Sequence, residues 1–168
     1  MARLVIFGAG AIARMAHYYF THDSEHSVTG FTVDDDYLDA DAFRDLPLVG
    51  LSAVTERFPP EKHHMFVALS YARMNQARAD ACRRAKALGY RLESYISSRC
   101  TFLAEAPVGE NCFVLEDNTI QPFVRIGNDV TLWSGNHIGH DSVIDDHCFI
   151  TSHVVISGNC RVREYSFI

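Results

Sequence analysis

From Val108 to Ile168 every sixth residue is aliphatic: Val108, Val114, Ile120, Ile126, Leu132, Ile138, Ile144, Ile150, Ile156, Val162 and Ile168. A period of six fits neither the 3.6-residue helix nor a free-standing strand, whose faces alternate every second residue. It fits a parallel β-helix, in which each hexapeptide forms one side of a triangular coil and turns its aliphatic side chain into the prism. The residue four places after each aliphatic should then be small or fit inward. Cys112, Asn118, Val124, Val130, Asn136, Ser142, Cys148, Val154, Cys160 and Ser166 meet that demand. The reading predicts three stacks: Ile126, Ile144 and Val162 on one side, Leu132, Ile150 and Ile168 on a second, Ile120, Ile138 and Ile156 on the third.

Residues 1–97 follow another pattern. The apolar run Arg3 to Phe7 ends at Gly8-Ala9-Gly10 and leads into a helical stretch, Ala11 to Phe20. A second strand, Ser27 to Val33, stops at Asp34-Asp35-Asp36. Leu48-Val49 and His64 to Leu69 read as further strands, Tyr71 to Leu88 as a helix closed by Gly89, and Arg91 to Ile96 as a fifth strand. Strands alternating with helices predict a Rossmann-like parallel α/β sheet over 1–97, followed by a left-handed or right-handed β-helix over 98–168 that Ser97 to Ala106 joins on. The repeat reaches Ile168 in mid-pattern. Solenoids need a terminal unit that covers the last core layer, so the expectation is a β-helix truncated at its C-terminal end, or one capped by another chain.

Composition narrows the field. The formal net charge is −6 at pH 7, which argues against nucleic acid or an anionic membrane as partner. The basic cluster Arg78 to Lys86 reads as the solvated face of a helix. No segment approaches the ~18 apolar residues of a membrane span and no signal peptide precedes Leu4-Val5-Ile6, so a cytoplasmic location is expected. The five cysteines include no CxxC pair. Cys112, Cys148 and Cys160 fall in the inward small column, as reduced structural thiols would. His137, His140, His147 and His153 raise the question of a metal. The period sets them on different sides of the prism, short of the three or four convergent ligands zinc requires within one chain, so no metal is expected.

Two places could carry chemistry. Gly8-Ala9-Gly10-Ala11-Ile12-Ala13 fits G-x-G-x-x-G/A between a strand and a helix, where glycines let a phosphate approach the backbone and the helix N-terminus offers free N–H donors. Asp34 and Asp35 end the next strand, where a carboxylate can reach ribose or sugar hydroxyls. The alternative is a turn that serves packing alone. A complete dinucleotide domain does not fit ahead of the β-helix, which favours a nucleotide sugar over NAD. In the repeat, His140 follows the inward Ile138 by two positions and stands beside a corner, with Asp141 next to it. Imidazole there can take a proton from an amine or hydroxyl near neutral pH. The alternative is a solvent-exposed corner histidine.

A Gly-rich turn, a strand ending in Asp-Asp and coils carrying Ile138-Gly-His-Asp-Ser-Val-Ile144 together resemble the bacterial sugar acetyltransferases, the UDP-4-amino-sugar N-acetyltransferases and sialic-acid-locus O-acetyltransferases. That resemblance implies a left-handed β-helix, a homotrimer, acetyl-CoA as donor with no metal, and a nucleotide-sugar acceptor used in surface-polysaccharide synthesis. It assigns His140 as general base, Asp141 as the acid that follows it, and Gly8, Gly10, Asp34 and Asp35 to the nucleotide sugar. Ala11-Ile12 replaces the family's frequent Gly-His, Asp145 a common glycine, and Phe149 a frequent second histidine. Two other readings stay open: a zinc site of the γ-carbonic-anhydrase type on the β-helix, and a non-catalytic module that binds a nucleotide sugar and trimerises.

Overall fold

Leu4 to Phe7 are all but completely buried, as befits a strand covered on both faces. In the computed structural model, which describes residues 1–168, they lie in β1 (Arg3–Phe7), at the heart of a five-stranded sheet. Helix α1 (Ala11–His22) leads to β2 (Ser27–Val33). A hairpin of β3 (Ala42–Phe43) and β4 (Leu46–Gly50) follows, then the one-turn helix α2 (Val54–Arg57), β5 (His64–Val67) and α3 (Gln76–Ala87). The strand order is β3-β4-β2-β1-β5.

This sheet corrects the Rossmann-like expectation for residues 1–97. It is mixed, because β3 runs antiparallel to β4. The passage from β2 to β4 holds only a 3-10 turn at Asp35–Tyr37 and the β3 strand, and α2 spans four residues, so a packed helix does not accompany each crossover. Short polar linkers, Leu38 to Asp41 among them, leave no room for the missing helix. The Arg44-Asp45 hairpin turn has both residues at positive φ, 54° and 61°, the conformation of the tight turns that match strand twist.

The chain divides into two compact units. One comprises Met1–Ser70 with Asp80–Glu93, the other Tyr71–Ala79 with Ser94–Ile168. The first has its core in Val5, Phe7, Val54, Phe58, Met65, Val67, Ala81, Cys82, Ala85, Tyr90 and Leu92. The Tyr90 hydroxyl donates to the Phe58 carbonyl at 2.6 Å, and Leu92 bridges to Met65.

The second unit is built of coils in which each two-residue strand pairs in parallel with the strand eighteen residues on. Val114, Leu132 and Ile150 share one side, Ile120, Ile138 and Ile156 the second, and Ile126, Ile144 and Val162 the third. The inner members are buried, Ile138 and Leu132 fully. Ile168 is more open, although its carbonyl accepts from Thr151 N–H at 2.8 Å. The coils begin earlier than the sequence pattern suggested. Tyr95–Ile96 pairs with Phe113–Val114 and Thr101–Phe102 with Thr119–Ile120, so residues read as a fifth sheet strand and a connector are coil. Ile96 was already in phase; an aromatic at position 102 hid the continuation.

Two further six-residue columns hold the coils. From Asn111 on, each corner turns on a residue with positive φ: Asn111, Asp117, Phe123, Asp129, Gly135, Asp141, His147, His153, Asn159 and Tyr165. Asn, Asp and Gly tolerate this left-handed region best, because the first two can bond locally and glycine has no Cβ. The small inward residues hydrogen-bond from coil to coil. Asn118 accepts from Asn136 N–H at 3.1 Å and donates to Trp133 O at 2.8 Å; Asn136 accepts from Val154 N–H at 2.8 Å and donates to Trp133 O at 2.6 Å. Cys112 and Cys148 donate S–H to the carbonyls of Gly127 and Arg163 at 3.0 and 3.1 Å.

Arg78 is not on a solvated helix face. It is 1% exposed, donates to the Asp129 carboxylate at 2.7 Å and to the Asp129 and Cys148 carbonyls, and its guanidinium lies 5.7 Å from the Phe149 ring centre. Asp129 also bonds Asn111 and His147, which spreads the buried charge over several partners. Ahead of α3 the expected helical turn is absent. Arg73, Met74 and Asn75 are all left-handed, and the Asn75 amide reaches the Ser166 carbonyl at 3.1 Å.

Replacing Asn136 with Ala removes bonds on both sides of a buried rung, so urea unfolding should show a loss of about 1–3 kcal/mol with an unchanged m-value. A midpoint equal to that of the native protein would mean that the amide ladder carries no stability. Burial pushes the Cys112 thiol up to about 12 and those of Cys100 and Cys148 up to about 11. At pH 8 iodoacetamide should therefore leave these three unmodified in the folded protein and label all five cysteines in guanidinium, as read by mass spectrometry.

Candidate active site

His140 stands on an exposed corner of the second unit, and four backbone relations hold it there. Gly139 N–H bonds Ile156 O at 2.7 Å, His140 N–H bonds the Gln121 side-chain oxygen at 2.8 Å, Asn159 N–H bonds His140 O at 2.9 Å, and Asp141 N–H bonds Pro122 O at 3.3 Å. With Asp141 left-handed at φ 58°, its carboxylate comes to 2.8 Å from His140 Nδ1. A carboxylate at Nδ1 favours the tautomer in which the neutral imidazole holds its proton there and keeps its lone pair on Nε2. The ring edge occupies the place a Gly158 side chain would take: a Cβ there would lie 2.6 Å from Nε2. The His140 and Asp141 side chains remain 57% and 49% exposed, open to an incoming reactant.

Sequence reasoning singled out His140 and Asp141 but passed over Gln121 and Gly158. The coil period was the available signal for Gly158, which lies eighteen residues after His140 on the neighbouring rung. Nothing in the sequence marked Gln121. A shallow cavity of about 340 Å³ lies against Asp141, lined by Glu105, Ala106, Phe123, Val124, Arg125 and Asp141.

The remaining histidines have separate surroundings. His147 bonds Asp129 at 2.9 Å and stacks on Tyr165, and the His153 ring occupies the space beside Gly135. No group of three or more His, Cys, Asp or Glu is placed to hold a metal ion. No helix is long and apolar enough to cross a membrane.

In the first unit Gly8 and Gly10 differ in kind. Gly8 has φ +126°, and a Cβ would meet the Ala68 carbonyl at 2.9 Å, so glycine is required there by backbone packing. Gly10 caps α1 with open space where a Cβ would be, and no side chain caps the helix start. Asp34 receives two bonds from the Arg84 guanidinium, one of them Nη2 to Oδ2 at 3.2 Å, and Arg84 lies over the Phe7 ring at 5.4 Å. The bond to Asp34 raises the Arg84 pKa. Asp35 accepts from the Ser52 hydroxyl at 2.6 Å and its N–H at 3.3 Å, closing the turn after β4. Both carboxylates thus have partners within the fold.

The sequence profile of the bacterial transferase hexapeptide (six repeats) family matches residues 123–158. No curated protein matches the chain. Among solved structures, the acetyltransferase domain of PglB from Neisseria gonorrhoeae FA1090 has a TM-score of 0.82 at 22% identity over 100% of this chain and 80% of that one. A second structure of that domain holds acetyl coenzyme A. WeeI from Acinetobacter baumannii AYE has a TM-score of 0.76 at 17% identity, covering 96% and 74%. A histidine-to-asparagine mutant of perosamine N-acetyltransferase from Caulobacter crescentus, in complex with CoA and GDP-perosamine, has a TM-score of 0.62 at 16% identity, covering 99% and 91%. The likeness is one of fold. It runs the length of the chain and is to an acetyltransferase domain; with this chain's own hexapeptide coils it is consistent with a left-handed β-helix, in place of the Rossmann-like fold expected for residues 1–97.

Gly158→Ala should displace the His140 ring, because the added methyl cannot coexist with Nε2 at its present distance. Imidazole resonances in ¹H–¹³C NMR should shift for His140 and hold for His26 and His64. An unmoved His140 signal in the folded variant would show that Gly158 does not set the ring's position.

Proposed function

We propose that this chain transfers an acetyl group from acetyl-CoA to an amine or hydroxyl of a nucleotide-linked sugar. The observation that carries the reading is the His140–Asp141 pair on an exposed corner of hexapeptide coils, with the carboxylate on Nδ1 and not on Nε2. Likeness in fold to an acetyltransferase domain, one structure of which holds acetyl coenzyme A, supports it.

His140 takes the proton from the acceptor's nitrogen or oxygen as that atom attacks the thioester carbonyl. Asp141 steadies the imidazolium that forms. A backbone N–H of a coil stabilises the oxyanion. When the tetrahedral intermediate collapses, the C–S bond breaks and the imidazolium returns its proton to the coenzyme A thiolate. No acyl-enzyme is required, in keeping with thiols that burial holds protonated. Gly8, Gly10, Asp34 and Asp35 belong in this reading to the acceptor's nucleotide end. Gly10 is the best suited of them, being open and next to uncapped N–H groups. The working unit is a homotrimer in the cytoplasm.

The test is release of coenzyme A thiol from acetyl-CoA in the presence of UDP-, dTDP- and GDP-linked sugars. Acceptor-dependent release is expected. His140→Ala should lower it ~10²–10⁴-fold without unfolding the protein, and Asp141→Asn by less, since it acts through the histidine. Undiminished transfer by folded His140→Ala would remove the mechanism; no release with any of these sugars would remove the activity.

A further inference from the structure

Phe123 breaks the rule of its own column. It sits in the left-handed region at φ 66°, where short polar residues or glycine fill most corners, and its ring is 56% exposed. A bulky residue held there is an outlier that stability does not select. The other large corner residues have packing reasons: His147 and Tyr165 stack on one another at 4.9 Å, and His153 lies against Gly135. Phe123 has no ring partner. It stands one rung from Asp141, eighteen residues away, and forms a wall of the 340 Å³ cavity that Asp141 also lines.

The lining of that cavity has two characters. Ala106, Val124 and the Phe123 ring are apolar, while Glu105, Arg125 and Asp141 are charged, and neither Glu105 nor Arg125 is engaged in an ion pair. A pyranose has the matching pair of surfaces, an apolar C–H face and a rim of hydroxyls. The volume lies at the low end of the ~300–1,000 Å³ range of small-molecule sites, enough for one sugar ring.

We propose that Phe123 is the platform on which the acceptor's sugar ring stacks, with Glu105 and Arg125 bonding its hydroxyls, so that this corner selects the acceptor. The proposal rests on the acetyl-transfer reading above. It explains the strained position: an aromatic face is presented where the backbone alone would favour Asn or Asp.

Phe123→Asn tests it, because asparagine suits the corner better than phenylalanine and should leave the thermal midpoint equal or higher. With the UDP-, dTDP- or GDP-linked sugar that supports transfer, KM for the sugar should rise about five- to tenfold, KM for acetyl-CoA should hold, and Phe123→Tyr should restore the sugar KM. Saturation-transfer NMR should show contact between protein and sugar-ring protons in the native protein and weakened contact in Phe123→Asn. An unchanged sugar KM, a rise in the acetyl-CoA KM alone, or a change of oligomeric state with the sugar KM intact would each overturn the platform while leaving acetyl transfer standing. No saturation transfer and no thiol release with any of these sugars in the native protein would overturn both.

Discussion

A hydrogen bond between residues about eighteen apart is the constraint on which the coil unit depends. It recurs from Phe113 N–H to Val130 O, from Thr131 to Cys148 and from Phe149 to Ser166, and on the other two sides in the same way. Strands of two residues have no stability alone; repeated stacking makes them a sheet. Once that register is set, the aliphatic columns meet inside, the small residues meet one position from the corner, and from Asn111 on every sixth residue turns left-handed. His140 inherits its place from this register, hung between Gln121 on one rung and Asn159 and Gly158 on the next.

The coils were legible because an inward position admits one kind of residue, and Ile138 or Leu132 cannot be exchanged for a charge without burying it. Their first turns were less legible, since Phe102 fills an aliphatic place with a ring. The corner column was present in the sequence as Asn111, Asp117, Asp129, Asp141 and Asn159, and its meaning emerges only with the backbone angles. Arg78 shows the limit of charge patterning. Arg83 and Lys86 of the basic cluster are exposed and Arg84 pairs with Asp34, while Arg78 is buried on Asp129, a partner fifty-one residues away that no local rule names. The N-terminal strands were found, but their sheet was misjudged, because the antiparallel β3 is two residues long and is defined by pairing alone.

The candidate site divides in the same manner. His140 and Asp141 are adjacent in sequence, so the sequence could propose the pair; the left-handed turn at Asp141 is what brings carboxylate and imidazole to bonding distance. Asp34 and Asp35 were equally visible as an acidic strand end. Their engagement by Arg84 and Ser52, fifty and seventeen residues on, depends on tertiary placement and could not be read locally.

The eighteen-residue register also governs how the length of such a chain can change over evolutionary time. Loss or gain of a single residue in the coils would throw every later aliphatic out of the prism. Loss of six between Gln121 and His140 would keep the interior intact yet carry each later residue to the next face of the triangle, separating the two. Apart from insertions extruded as loops at a corner, only a whole coil can be gained or lost with both the interior and the faces preserved. Length variation ahead of His140 is thus quantised by geometry, and a coil can be gained or lost without redesigning the corner that holds the histidine.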